Sequence, residues 1–401
     1  MKVLQINTIY KNKSTGRTCW ELSKALNESG HQCLTAYGHI QVDEENSYCI
    51  NGDLEYKVHN VLSRLTGLEG YFSYFPTRRL IKKIKEFNPD IIHLRNLHGH
   101  YLNLPLFFKF LKKSQIPVVM HLHDCWILTG KCCHPTYHNC DGWLTECKNC
   151  PARSEYPISW CFDFSKMMFK HKKKWFAQLE KCIVVGVSDW IAGEGKKSYL
   201  GKFPVKYVYN WIDTDTFHPY EGVRKSEFGL DDDKFTIICA GADWNLNNTK
   251  TNDLLTLADK LDDNTQILLV GRADERINHP KIIKAGFTNN TDELARMYSA
   301  SDVYVHFSTA DTFGKVIAES MACGTPAIVY NVTACPELVA EGCGASVDLH
   351  DVDGIVGKVN EIRENGKECY SQKCVERVRN NFNYEKNVQQ TIEIYKELLN
   401  K

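Results

Sequence analysis

The chain carries no excess of either charge, no apolar run of membrane-spanning length, and no repeat or low-complexity segment. Lysine plus arginine and aspartate plus glutamate both number 49, so net charge selects neither nucleic acid nor an anionic surface as partner. No stretch approaches the roughly 20 apolar residues of a spanning helix. Met1-Lys2-Val3-Leu4-Gln5-Ile6 leads directly into a strand-like run, so no signal peptide is expected. The loop Lys11 to Gly16 holds a single glycine, too few for a dinucleotide fingerprint; Gly16 is either a point of close ligand approach or a plain turn residue. These absences describe a cytoplasmic globular protein long enough for two domains.

Cysteine, by contrast, is abundant. Seventeen thiols without a secretory leader fit a reducing compartment, where metal binding is a better reading than disulfides. Seven of them fall between Cys125 and Cys161. Cys132, Cys140, Cys147 and Cys150 give C-x7-C-x6-C-x2-C, and the terminal CxxC lets two thiolates reach one ion. A structural zinc on these four is expected, with Cys133, His134 or His138 able to replace a member and free buried thiols as the alternative.

Strands and helices alternate along both halves. Val3–Asn7, Gln32–Tyr37, Ile91–Leu94, Pro117–Leu122, Ile183–Val187 and Val205–Tyr209 read as strands, and Arg17–Asn27, Pro76–Phe87 and Leu104–Lys113 as helices. A polar stretch from Glu221 to Lys234 follows Asn210-Trp211-Ile212-Asp213, and the alternation restarts at Phe235–Ala240, Thr251–Leu261, Gln266–Val270 and Thr291–Ala300. This pattern predicts parallel, doubly wound α/β sheets with ligands beyond the carboxyl ends of the strands. His123 and Asp124 stand at such an end; His98 and His100 follow another. Basic residues cluster at Arg78–Lys85 and Lys166–Lys174 beside aromatics, as a solvated face or as a surface for anionic lipid. The boundaries expected are 1–209, with the cysteine-rich insertion 125–161, then 210–380, then a long amphipathic helix in 381–401.

The most informative stretch is Asp311–Pro326, DTFGKVIAESMACGTP. It follows a strand pattern at Val303, Val305 and Phe307, and Gly324 and Pro326 end its apolar helix. Glu319 lies in the run Val316, Ile317, Ala318, Met321, Ala322, so it is either an acid needing a partner or ligand, or an edge-exposed one. Helical side chains lean toward the N-terminus, which points Glu319 back toward Asp311. The free amides near Gly314 and Lys315 suit a phosphate or polar sugar. Lys250 opens a helix and Gly271-Arg272 follows a strand end. Singly each is a surface charge; together they converge on one sheet edge.

These residues resemble the E-x7-E signature of retaining glycosyltransferases of family 4 with the GT-B fold, with Asp311 as the first acid and the trailing Ala322-Cys323-Gly324-Thr325-Pro326 especially typical. The likeness extends to Ser14-Thr15-Gly16-Arg17, Ile92-His93-Leu94, Asn96-Leu97-His98-Gly99, His123-Asp124-Cys125-Trp126, Thr129-Gly130, the cysteine cluster and Asn210 with Ile212-Asp213. It is similar to the bacterial colanic-acid and capsule branch.

The resemblance implies two Rossmann-like domains facing across a cleft, with the C-terminal helix crossing back to the first. It implies a hexosyltransferase moving sugar from a nucleotide donor to a polyprenyl-diphosphate-linked glycan for capsule, exopolysaccharide or O-antigen, peripheral to the inner membrane and acting on no nucleic acid. Catalysis would rest on His123, Asp311 and Glu319. Donor contacts would come from Gly16, Lys250, Gly271, Arg272, Thr312, Phe313, Gly314, Lys315 and Val316, with no metal needed for the chemistry. Two departures stand out. The loop Gly241–Lys250 lacks the usual arginine, leaving Arg272 as its expected substitute, and Thr333-Ala334 replaces the Gly-Gly that commonly precedes Pro-Glu. A zinc-stabilised nucleotide-sugar-binding protein without turnover, a GT-B epimerase and a phosphorylase are the alternatives.

Overall fold

A computed structural model describes residues 1–400, which form two compact units. Met1–Val208 and Lys386–Lys401 make the first, Tyr209–Glu385 the second.

In the first unit the elements run β1 (Lys2–Asn7), α1 (Lys13–Glu28), β2 (Gln32–Tyr37), β3 (Ser47–Cys49), α2 (Asp53–Thr66), α3 (Tyr74–Phe87), β4 (Ile91–Leu94), α4 (Leu104–Ser114) and β5 (Val118–Leu122), followed by α5 (Gly142–Thr145), α6 (Ser165–Ala177), β6 (Cys182–Gly186), α7 (Asp189–Lys197) and β7 (Val205–Tyr207). The strands pair in parallel in the order β3-β2-β1-β4-β5-β6-β7. Their near-continuous apolar runs are what helices on both faces require: every residue of β4, β5 and β6 is buried.

The second unit contains β8 (Phe235–Trp244), α8 (Thr249–Lys260), β9 (Thr265–Ala273), β10 (Ile282–Gly286), α9 (Thr291–Ala300), β11 (Val303–His306), α10 (Lys315–Ala322), β12 (Ala327–Tyr330), α11 (Cys335–Leu338), β13 (Gly344–Val347), α12 (Val352–Asn365) and α13 (Glu368–Asn381). Its six strands are again parallel, ordered β10-β9-β8-β11-β12-β13. The last helix, α14 (Tyr384–Asn400), lies from Lys386 onward in the first unit, where the Tyr395 hydroxyl meets His93 Nδ1 at 2.6 Å.

Three local expectations change. Ser14 to Gly16 lie in the first turn of α1, not in a loop. β8 does not stop at Ala240: an irregularity between Ala240 and Asp243 carries it on to Trp244, paired with β9 as far as Ala273. Between β2 and α3 the chain also forms β3 and α2, which the alternation pattern passes over.

Candidate active site

In both sheets the winding reverses between the first and fourth strands, and doubly wound proteins place ligands at the carboxyl ends there. In the second unit this is the gap between β8 and β11. A pocket of ≈ 260 Å³ lies there, lined by Ala240, Gly241, Trp244, Lys250, His306, Asp311 and Val316 among others.

The extension of β8 builds one wall. Trp244 is buried, its indole N–H donating to the Val270 carbonyl at 3.0 Å, and the Lys250 ammonium sits 4.7 Å above its ring. Lys250 occupies the first turn of α8. Burial lowers its pKa, opposed by the nearby Asp243 and Asp311 carboxylates.

β11 ends on His306, which sequence reasoning did not single out. Its Nδ1 meets the Tyr304 hydroxyl at 2.7 Å and its Nε2 contacts the Asp311 carboxylate. Burial pushes the imidazole toward neutrality. The Asp311 charge and hydrogen bond, with Cys335, outweigh it and raise the pKa to about 10. His306, Asp311 and Cys335 also bring three potential metal-ligand atoms within 4.8 Å, but the His–Asp contact satisfies the two polar groups directly. The rule that drew attention to His123, a histidine at a buried strand's carboxyl end, identifies His306 equally well.

The opening of α10 forms the next wall. Gly314 has φ +86, and a Cβ there would stand 2.7 Å from Ile317 Cδ1, so glycine is needed for this turn into the helix. Val316 lines the pocket. Phe313 does not: its ring is buried against Tyr209 and Phe382, leaving only its backbone for a ligand. Glu319 is buried, as its apolar surroundings require, with Lys315 Nζ 4.0 Å from Oε1 one turn earlier. Thr312 lies between Asp311 and Phe313 in the same loop.

Three expected donor residues, Gly16, Gly271 and Arg272, do not line this pocket. Arg272 pairs with Asp243 across the extended β8–β9 ladder at 2.8 Å, stacks on Phe287 and is well exposed; it does not line the pocket. Gly271 (φ +129) has a packing role, since a Cβ would lie 1.9 Å from the Gly241 carbonyl oxygen. Gly16 likewise packs, a Cβ there standing 3.2 Å from Ile9. Thr333, in place of the usual glycine, keeps a left-handed backbone at φ +53, and the Ala334 amide donates to the Asp311 carbonyl at 3.3 Å.

In the first unit, His123 follows β5, buried, its ring centroid 4.6 Å from that of His121. His121 Nδ1 meets His93 Nε2 at 3.1 Å with the two rings stacked, so three imidazoles lie in a row at the ends of β4 and β5. Burial lowers the pKa of all three well below the ordinary range, and Arg95 adds to the effect. His98 Nε2 meets Asp124 at 2.7 Å and His100 Nδ1 meets buried Glu69 at 2.5 Å, so both brace the loop after β4.

Residues 15–216 match the model of Glycosyltransferase Family 4, and residues 225–381 match that of Glycosyl transferases group 1. The chain is 23% identical over 273 residues to a putative colanic acid biosynthesis glycosyl transferase of Escherichia coli K12, an alignment covering 66% of this chain and 65% of that one. Among solved structures, sucrose-phosphate synthase from Thermosynechococcus elongatus superposes with a TM-score of 0.70 at 16% identity, covering 99% of this chain and 98% of that one. HepE of Anabaena in complex with UDP gives 0.68 at 14% identity, covering 99% and 100%. Both likenesses show the GT-B fold.

Proposed function

The chain belongs to glycosyltransferase family 4, and from that premise we propose that it transfers a hexose, with retention, from a nucleotide-sugar to a polyprenyl-diphosphate-linked glycan in bacterial surface-polysaccharide assembly. The observation that carries this reading is the pocket at the switch point of the second sheet, where Lys250, the His306–Asp311 pair and the start of α10 converge. The UDP bound by HepE and the colanic acid relative support the donor class and the pathway class.

Glu319 accepts hydrogen bonds from both ribose hydroxyls, as an ionised carboxylate can. The opening amides of α10, Lys250 and the His306 imidazolium offset the diphosphate charge, taking the share first assigned to Arg272. Asp311, with the backbone from Thr312 to Val316, holds sugar hydroxyls and phosphate. The acceptor oxygen bonds to the anomeric carbon on the face from which the diphosphate leaves, and the leaving phosphate oxygen takes the acceptor proton. No side chain is needed as nucleophile. His123 serves the transfer step as a neutral imidazole.

A lipid-linked acceptor lies at a membrane surface, and no helix among the described residues is long and apolar enough to cross one. We assign peripheral docking to α2. Leu54, Val58, Val61 and Leu65 of α2 are all exposed, as are Tyr74, Phe75, Arg78 and Lys82 of α3, and the two helices are joined by Glu55 of α2 and Arg79 of α3 at 2.7 Å.

Glu319→Ala tests the site. Losing hydrogen bonds to a charged group costs about 1.5–3 kcal/mol, so donor affinity is expected to fall by roughly 10- to 100-fold. His123→Ala is expected to reduce transfer far more than nucleotide binding. Unchanged donor affinity in Glu319→Ala would remove the ribose assignment.

A further inference from the structure

The cysteine-rich insertion leaves a physical problem that the transfer site does not touch. Between β5 and α6 the chain runs about 40 residues with one four-residue 3-10 turn, Pro135–His138, and the four-residue α5 as its only helical elements. The segment has little regular structure of its own, and small loop-rich units of this kind are often stapled. No disulfide supplies the staple, since every cysteine in the chain is a free thiol.

The fold gathers four of these thiols. Cys132, Cys140, Cys147 and Cys150 line one small cavity of ≈ 20 Å³, closed in part by buried Trp143. The Gly130 amide donates to Cys147 Sγ at 3.1 Å, a contact that favours a thiolate sulfur. A Cβ at Gly130 would stand 2.9 Å from Cys147 Cβ and 2.3 Å from the Ser165 carbonyl oxygen, so glycine holds that amide against the sulfur.

The neighbouring candidates drop out. Cys133 faces His98 and Asp124 instead of the cavity, and His138 Nε2 is taken by Glu155 at 2.6 Å. Cys161 is exposed. Two buried ammoniums flank the set: Lys131 donates to the Ala152 and Glu155 carbonyls at 3.2 Å, and Lys172 to the Trp126 and Thr129 carbonyls at 2.6 and 3.1 Å.

We propose that Cys132, Cys140, Cys147 and Cys150 bind one zinc ion that fixes the insertion between β5 and α6. Four thiolates fill a tetrahedral sphere, so the ion is structural and takes no part in transfer. No three of these sulfurs form a group as tight as the His–acid clusters, all within 4.8 Å of one another, so binding draws them together and couples to ordering of the segment.

The test is metal analysis of the full chain, purified without chelator, beside the Cys147→Ser/Cys150→Ser double variant and Cys161→Ser. About one zinc per chain is expected in the parent and in Cys161→Ser, and a loss of at least tenfold in the double variant. A folded parent with negligible zinc, or a double variant that keeps the parent's content, would overturn the proposal. If the double variant does not fold, cobalt is exchanged into the parent chain. Thiolate-to-cobalt charge-transfer absorption with tetrahedral d–d bands is expected, and their absence overturns it. Neither readout involves sugar transfer, so the result stands apart from the activity assigned above.

Discussion

His306 and His123 are both buried histidines at strand ends, yet their surroundings drive them in opposite directions. Burial dominates at His123 and at neighbouring His121 and His93, so they stay neutral. At His306 the Asp311 carboxylate overrides burial and lifts the pKa from 6.5 to about 10. A folded pKa raised above the unfolded one contributes stability in full below pH 6.5, shrinking through the window up to about 10 and gone above it. His306→Gln is therefore expected to lower stability by about 1.5–3 kcal/mol at pH 6 and by little at pH 10, read from denaturation curves of both chains. A variant equally destabilised at the two pH values would show that the pair is not ionised as described. Glu319 was legible beforehand because an acid inside an apolar helical run is rare. His306 was not, because its partner Asp311 comes from the loop after the strand and the pairing is a tertiary fact. Arg272 misled for the converse reason: it follows a strand end in the sequence, but β8 and β9 run on together and hold it against Asp243.

At the scale of elements, α2 explains why hydrophobic periodicity does not by itself locate the core. Its buried face is polar: His59 contacts the Ser73 hydroxyl at 2.7 Å and Ser63 donates to Glu69 at 2.7 Å. Its apolar stripe faces solvent. Fully burying a leucine or valine stabilises by about 1.5–3 kcal/mol, so even partial insertion of four such side chains gives measurable membrane affinity. Leu54→Ser/Val58→Ser is expected to weaken binding to vesicles containing anionic lipid by about tenfold or more. Because both side chains are exposed, the melting temperature is expected to stay nearly unchanged. Vesicle binding equal to the parent's would remove α2 as the docking surface. The basic runs alone were a poorer guide, since Lys172 within one of them is buried.

Across the whole molecule, the alternation of strand and helix patterns was enough to foresee two parallel α/β sheets, because buried parallel strands are nearly all apolar and stand out. It did not give the order of the strands, which depends on pairing between distant segments. That order places the reversal at β8 and β11 in the second unit, and with it the pocket. Asp311 and Val316 of the Asp311–Pro326 motif line that pocket, whereas the wall built by Trp244 depended on an irregularity in β8 that no turn residue announces. The proposed transfer requires that pocket to hold a nucleotide-sugar. The most direct measurement is a panel of UDP-, GDP-, ADP- and dTDP-sugars offered with a polyprenyl-diphosphate-linked glycan, following nucleotide release and the anomeric configuration of the product by NMR. One donor is expected to release nucleotide at a rate that rises with acceptor, giving product of the donor's own anomeric configuration. A donor that binds without turnover across lipid-linked acceptors, or a product of inverted configuration, would contradict it.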